Sequence, residues 1–159
     1  MTQRLNLAAS STLFDLSLNL IFTLQSPSIR NHAFVIKNES FFLEMERINQ
    51  IVSDIKIGNI KPIYFLMGDE PYYIDKISDY IERKVLTEEE RGFNQVVLYG
   101  RDVTIDDIVS NAKRYPMMAE RQVVIVKEAQ DLSRTIENLV SYVENPQPST
   151  VLVICYKYK

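Results

Sequence analysis

The sequence predicts an α/β domain in which a parallel sheet carries helices on both faces. Ile63 to Met67, Val123 to Val126 and Thr150 to Cys155 are short uninterrupted apolar runs, as expected of strands covered on both sides. Between them lie segments whose apolar residues recur at three-and-four spacing, the helices that must cross over between parallel strands. Gly58, Gly68, Gly100 and Pro116 punctuate the boundaries.

Taken in order, Glu44 to Ile57 reads as a helix, with Ile48, Ile51, Val52 and Ile55 on one face and Gly58 just past its end. Ile63 to Met67 is the first strand, broken by Gly68. Asp69 and Glu70 offer capping oxygens, Pro71 suits a first helical position, and Ile74, Ile77, Ile81 and Val85 continue as an amphipathic helix. Thr87 to Gly92 is a solvated charge run, and Phe93 to Tyr99 a second strand closed by Gly100. Thr104, with Asp107 three residues on, opens a helix that presents Ile105, Ile108, Val109 and Ala112 to the core. Pro116 requires that helix to end by Tyr115. Gln122 to Val126 is the third strand. Ser133 or Thr135 opens a last helix carrying Ile136, Leu139, Val140 and Val143, which Asn145 to Pro148 terminates before the fourth strand, Thr150 to Cys155.

Residues 1–44 differ in character. The alternation Leu16, Leu18, Leu20, Phe22, Leu24 permits an added strand, but the run is too short and too polar to span a bilayer and lacks a signal-peptide cleavage pattern. The expected organisation is therefore a non-native or poorly ordered extension over 1–44 and one domain over 45–159, with the chain stopping directly after a core strand, as a fragment does.

Composition narrows the function. Apolar content of 46% and charged content of 25% are those of a soluble globular protein, and a net charge of −3 excludes a strongly basic nucleic-acid surface while leaving room for a local patch. With a single cysteine, Cys155, no internal disulfide can form, which fits a reducing cytoplasmic setting. His32, the only histidine, falls in the opening segment, so neither histidine catalysis nor a histidine metal site is expected, and Cys155 without a partner reads as a small buried residue. No catalytic residue, metal or cofactor is assigned.

The strand, turn and helix around Gly68 is the arrangement in which nucleotide-binding α/β domains cradle a phosphate. Laying the phosphate-loop signature on Gly68 puts Tyr73, Ile74 and Asp75 where its second glycine, lysine and hydroxyl belong. Asp69 and Glu70 add negative charge there, and Pro71 removes an N–H donor. After Val126, where an ATPase carries an aspartate for magnesium, stands Lys127, followed by Glu128. This is the expectation for a degenerate P-loop NTPase domain; ordinary strand ends in an unrelated α/β protein would look the same.

Met117 and Met118 sit in a helix-to-strand connection between Pro116 and Ala119. Two thioethers on a loop form an adaptable plug for an apolar pocket, unless they fold back beneath the sheet. Lys113, Arg114 and Arg121 flank them, either as solvated surface or as contacts to an acidic rim or DNA.

The strings IYFLMGDEPYYI (63–74), RYPMMAERQVVIVKEA (114–129) and NPQPSTVLVI (145–154) together resemble the delta subunit of the bacterial DNA polymerase III clamp loader, from about Met45 onward. The resemblance implies an AAA+-like first domain without a working nucleotide site. It also implies a subunit that opens the ring-shaped sliding clamp, the beta subunit, by inserting two adjacent hydrophobic side chains. In the family these are typically Leu-Phe before Ala-x-Arg; here the matching positions are Met117 and Met118, flanked by Pro116 and Arg121, with methionine replacing both. Lys113 lies near where the family often carries a glutamine. Lid and collar domains, through which the delta-prime and gamma/tau subunits assemble, are not within these residues. Primer-template DNA would be met indirectly, with no membrane partner and a cytoplasmic, nucleoid-associated location. The competing readings are an active NTPase built around Gly68 and a DNA-binding module.

Overall fold

The computed structural model of the chain describes residues 20, 23–27, 29, 33–36 and 41–157. In chain order the elements are β1 (Ala33–Ile36), α1 (Phe41–Lys56), β2 (Ile63–Gly68), α2 (Pro71–Lys84), α3 (Glu88–Asn94), β3 (Gln95–Tyr99), α4 (Ile105–Ala112), β4 (Gln122–Lys127), α5 (Val140–Val143) and β5 (Thr150–Lys157). Among the described residues every strand pairing is parallel, and the sheet order is β1-β2-β5-β4-β3. The predicted α/β class with a parallel sheet is therefore the one observed.

Period-two alternation along the buried strands divides the core into two layers. Ile63, Phe65, Met67, Val124, Val126, Leu152 and Ile154 face α4, α5 and the turns before α5. Tyr64, Leu66, Val123, Ile125, Val151, Val153 and Cys155 face Ile51 and Ile55 of α1 and Ile74, Ile77 and Ile81 of α2. Because both faces are covered, the strands read as continuous apolar runs.

Several boundaries move. The charge run after Thr87 is helical: Thr87 and Glu90 form a reciprocal capping box, and three glutamates occupy the first turn of α3, where the helix dipole favours negative charge. Phe93 and Asn94, expected in a strand, close that helix instead, and β3 begins at Gln95. Gly68 ends β2 in register with Lys157 of β5 rather than breaking it. Glu70 takes the N-cap of α2 without a side-chain cap bond. The last predicted helix is a 3-10 turn, Ile136–Leu139, followed by the single turn of α5, and a further 3-10 turn, Ala129–Leu132, precedes it. Thr104 and Asp107 do form the predicted capping box. Gly58 ends α1 with φ +81, the left-handed geometry that glycine adopts without strain. At Gly100 a Cβ would come within 2.3 Å of the Glu128 carbonyl oxygen, so no side chain fits where the β3 exit crosses the β4 exit.

The architecture also begins earlier than Met45. β1 adds an edge strand beside β2, and Leu20, Leu24, Ile29 and Ala33 are buried in the α4-side core. Leu20 and Leu24 are helical, so the strand that the leucine alternation permits is not formed at those residues, and β1 at Ala33–Ile36 is a separate segment. Leu16, Leu18, Phe22 and His32 lie outside the described residues.

Candidate functional site

The two regions singled out by sequence lie at opposite ends of the sheet. Gly68 and Glu128 mark the carboxyl ends of β2 and β4; the Met117–Met118 loop enters β4 at its amino end. At about 3.3 Å per residue, the six residues of β4 hold them roughly 20 Å apart.

At the carboxyl end, Asp75, Lys127 and Glu128 are engaged in internal ion pairs. Asp75 Oδ1 is 2.9 Å from Lys157 Nζ, and Glu128 Oε1 is 3.0 Å from the same ammonium. Burial pulls the Lys157 pKa down, but its hydrogen bonds to Asp75 and Glu128 outweigh that and leave it raised. The side-chain amide of Gln130 donates to Glu128, while its oxygen accepts from the Lys157 backbone N–H at 3.2 Å. Lys127 Nζ faces Glu82 at 3.7 Å and Asp79 at 3.9 Å on α2. Ile74 is buried in the core and Tyr73 is half-buried. Sequence reading did not single out Lys157 or Gln130, since only the parallel register of β5 with β2 brings residue 157 beside Asp75. Among the described residues no group of three His, Cys, Asp or Glu side chains is arranged to hold a metal ion. Burial pushes the Cys155 thiol up to about 12, which removes it as a nucleophile at neutral pH.

At the amino end, Met117 is 57% exposed and Met118 fully so. The expectation that one or both fold beneath the sheet is not met. Met118 has φ +53, a conformation that non-glycine residues adopt at a cost. Two polar clamps hold the backbone on either side of the loop entrance. Asn94, only 3% exposed, accepts from the Met117 N–H at 2.6 Å and donates from Nδ2 to the Met117 carbonyl at 2.9 Å and to the Glu90 carbonyl at 3.1 Å. Behind the loop, the Gln122 side-chain amide donates to the carbonyls of Asn111 (3.1 Å) and Arg114 (2.6 Å), and to Thr150 Oγ1 at 2.8 Å. The Thr150 hydroxyl donates in turn to the Ala112 carbonyl at 2.7 Å. These bonds satisfy helix-end carbonyls that α4 would otherwise leave open, and they fix where the loop departs.

The methionines, Phe93, Asn94, Glu89 and Glu90 line a shallow hollow of about 330 Å³. Pro116 is half-buried at the loop entrance. Arg121 is not part of this hollow: it lines a neighbouring one with Val85, Leu86 and Glu90. Lys113 and Arg114 are exposed on the approach to the loop. Phe93, 73% exposed, is the residue the sequence reading missed; the Thr87-x-x-Glu90 capping pattern is the signal that would have placed it on a helix.

A sequence model described as DNA polymerase III, delta subunit, matches residues 64–159, more than half of the chain. A DNA polymerase III subunit delta from Bacillus subtilis (strain 168) is 29% identical over 114 residues, 66% of this chain and 33% of that protein. The solved structure of the Bacillus subtilis DNA clamp loader delta protein superposes with a TM-score of 0.62 at 28% identity, covering 70% of this chain and 36% of the other. The chain thus spans about a third of the length of these relatives.

Proposed function

This chain belongs to the DNA polymerase III delta subunit family, and from that premise we propose that it is a clamp-binding and clamp-opening module without ATP hydrolysis of its own. The observation that carries this reading is the presentation of Met117 and Met118: exposed, on a strained loop, and pinned from behind by Asn94 and Gln122. Exposing two large apolar side chains on a braced loop is unfavourable in isolation and becomes favourable when they enter an apolar pocket on a partner. The partner is the ring-shaped sliding clamp. Binding energy from the two thioethers is spent on stabilising an opened clamp interface, and no bond is made or broken in this domain. As a clamp-loader subunit the protein assembles with the delta-prime and gamma/tau subunits and meets primer-template DNA indirectly, in the cytoplasm at the nucleoid.

Support for the non-catalytic part comes from the carboxyl end of the sheet. Asp75, in the place of a metal-binding hydroxyl, is paired with Lys157, and the β4 exit offers Lys127 where a magnesium carboxylate belongs. No observation favours a nucleotide-hydrolysing alternative.

Truncating both methionines, Met117→Ala with Met118→Ala, is expected to cost about 2–4 kcal/mol of clamp affinity, measured by titration calorimetry against the clamp of the same organism. Wild-type affinity in that double variant refutes the assignment. Magnesium and ATP are expected to leave the melting temperature unchanged, whereas a nucleotide bound at 100 times its dissociation constant would add about 2.7 kcal/mol of stability.

A further inference from the structure

Phe93 is a large exposed apolar side chain beside the methionine loop, and it lines the same hollow from a different element. It occupies the last turn of α3, directly before Asn94. Because the Asn94 side chain is bonded to both the N–H and the carbonyl of Met117, the backbone carrying Phe93 and the backbone carrying Met117 are tied together. The three side chains are therefore presented as one set rather than as a loop beside an unrelated helix. Their chemistry is complementary. Methionine adapts its shape through several rotatable bonds, whereas a phenylalanine ring is rigid and fills a pocket with little loss of side-chain freedom. Contacts that dominate protein interfaces are characteristically aromatic anchors surrounded by groups that exclude water. Glu89 lines the same hollow, so its wall is acidic on the α3 side.

We propose that Phe93 is a third anchor of the docking surface formed by Met117 and Met118, inserted with them into an apolar clamp pocket whose edge presents a cation to Glu89. This rests on the clamp-binding reading above. Asn94 is the positioning residue that keeps the three in register.

The test is calorimetric binding of the full chain to the purified sliding clamp of the same organism, comparing Phe93→Ala, Met117→Ala/Met118→Ala and the triple variant. Since Phe93 is largely exposed, Phe93→Ala is expected to melt like the wild type, and Phe93→Leu provides a second, apolar variant lacking only the ring. Phe93→Ala is expected to weaken binding about tenfold, Phe93→Leu less, and the triple variant less than the product of the separate losses, as for residues sharing one pocket. A Phe93→Ala affinity within twofold of wild type, with the double methionine variant still impaired, overturns the third anchor and leaves the clamp reading standing. Fully multiplicative losses overturn the shared pocket. Unchanged binding by the double methionine variant removes the clamp reading and this inference together.

Discussion

Asn94 fixes the loop from a helix that precedes it by a whole strand and helix in the chain. One carboxamide serves three backbone groups: it accepts from the Met117 N–H and donates to the carbonyls of Met117 and Glu90. Replacing it with alanine removes all three bonds and frees Met118 to leave its left-handed conformation. Asn94→Ala is expected to destabilise the domain by about 1–3 kcal/mol in urea unfolding; a change below about 0.5 kcal/mol would mean the loop is held by other contacts. Gln122 and Thr150 act similarly within the core, where buried polar groups persist because each is paired with a helix-end carbonyl or with the other. None of these partnerships is periodic, so no sequence pattern announces them. The exposure of Met117 and Met118 follows from the same contacts, which is why composition left plug and core equally open.

At the scale of the element, local chemistry was readable where it is self-contained. Thr104 and Asp107 form the capping box that their spacing predicts: the Thr104 N–H and hydroxyl both donate to Asp107 Oδ2, and the Asp107 N–H donates back to Thr104 Oγ1. Those bonds, the backbone one first, hold the Asp107 carboxyl below its ordinary value. A carboxylate with a depressed folded-state pKa contributes stability above its unfolded pKa of about 3.9, and loses it as pH falls through the folded value. Thr104→Ala, which removes the hydroxyl bond but keeps the backbone one, is therefore expected to lower stability at pH 7, with the part of the loss carried by the hydroxyl–Asp107 bond fading as pH falls below about 4, as followed by thermal melts across pH. The break-up of the last helix was not readable. Ile136 and Leu139 are a buried pair three residues apart that a 3-10 turn stacks on one face. An α-helix and such a turn share that spacing, and only the surface beneath distinguishes the two.

For the whole molecule, the sheet separates the Asp75–Lys157–Glu128 pairing at its carboxyl end from the exposed Met117–Met118 loop at its amino end. The sheet also reaches back before Met45. Leu24 is buried against the α4-side layer together with Leu20 and Ile29. Leu24→Ala is expected to cost about 2–5 kcal/mol in chemical denaturation, the usual penalty for emptying a core leucine site. No loss at all would restore the view that the domain starts at Met45.

What the sequence determined by itself is the architecture: continuous apolar runs of strand length can be covered only from both sides, so a parallel sheet between helical layers follows from hydrophobic burial and backbone pairing. It also determined which residues are absent from the turn after β2, because a phosphate cradle is a local string. Tertiary structure alone decided that Lys157 meets Asp75, that Phe93 joins Met117 and Met118, and that Ala33–Ile36 extends the sheet. Each of these depends on distant parts of the chain meeting, through strand pairing for Lys157 and Ala33–Ile36 and through the Asn94 side chain for Phe93, and no local string names such long-range partners.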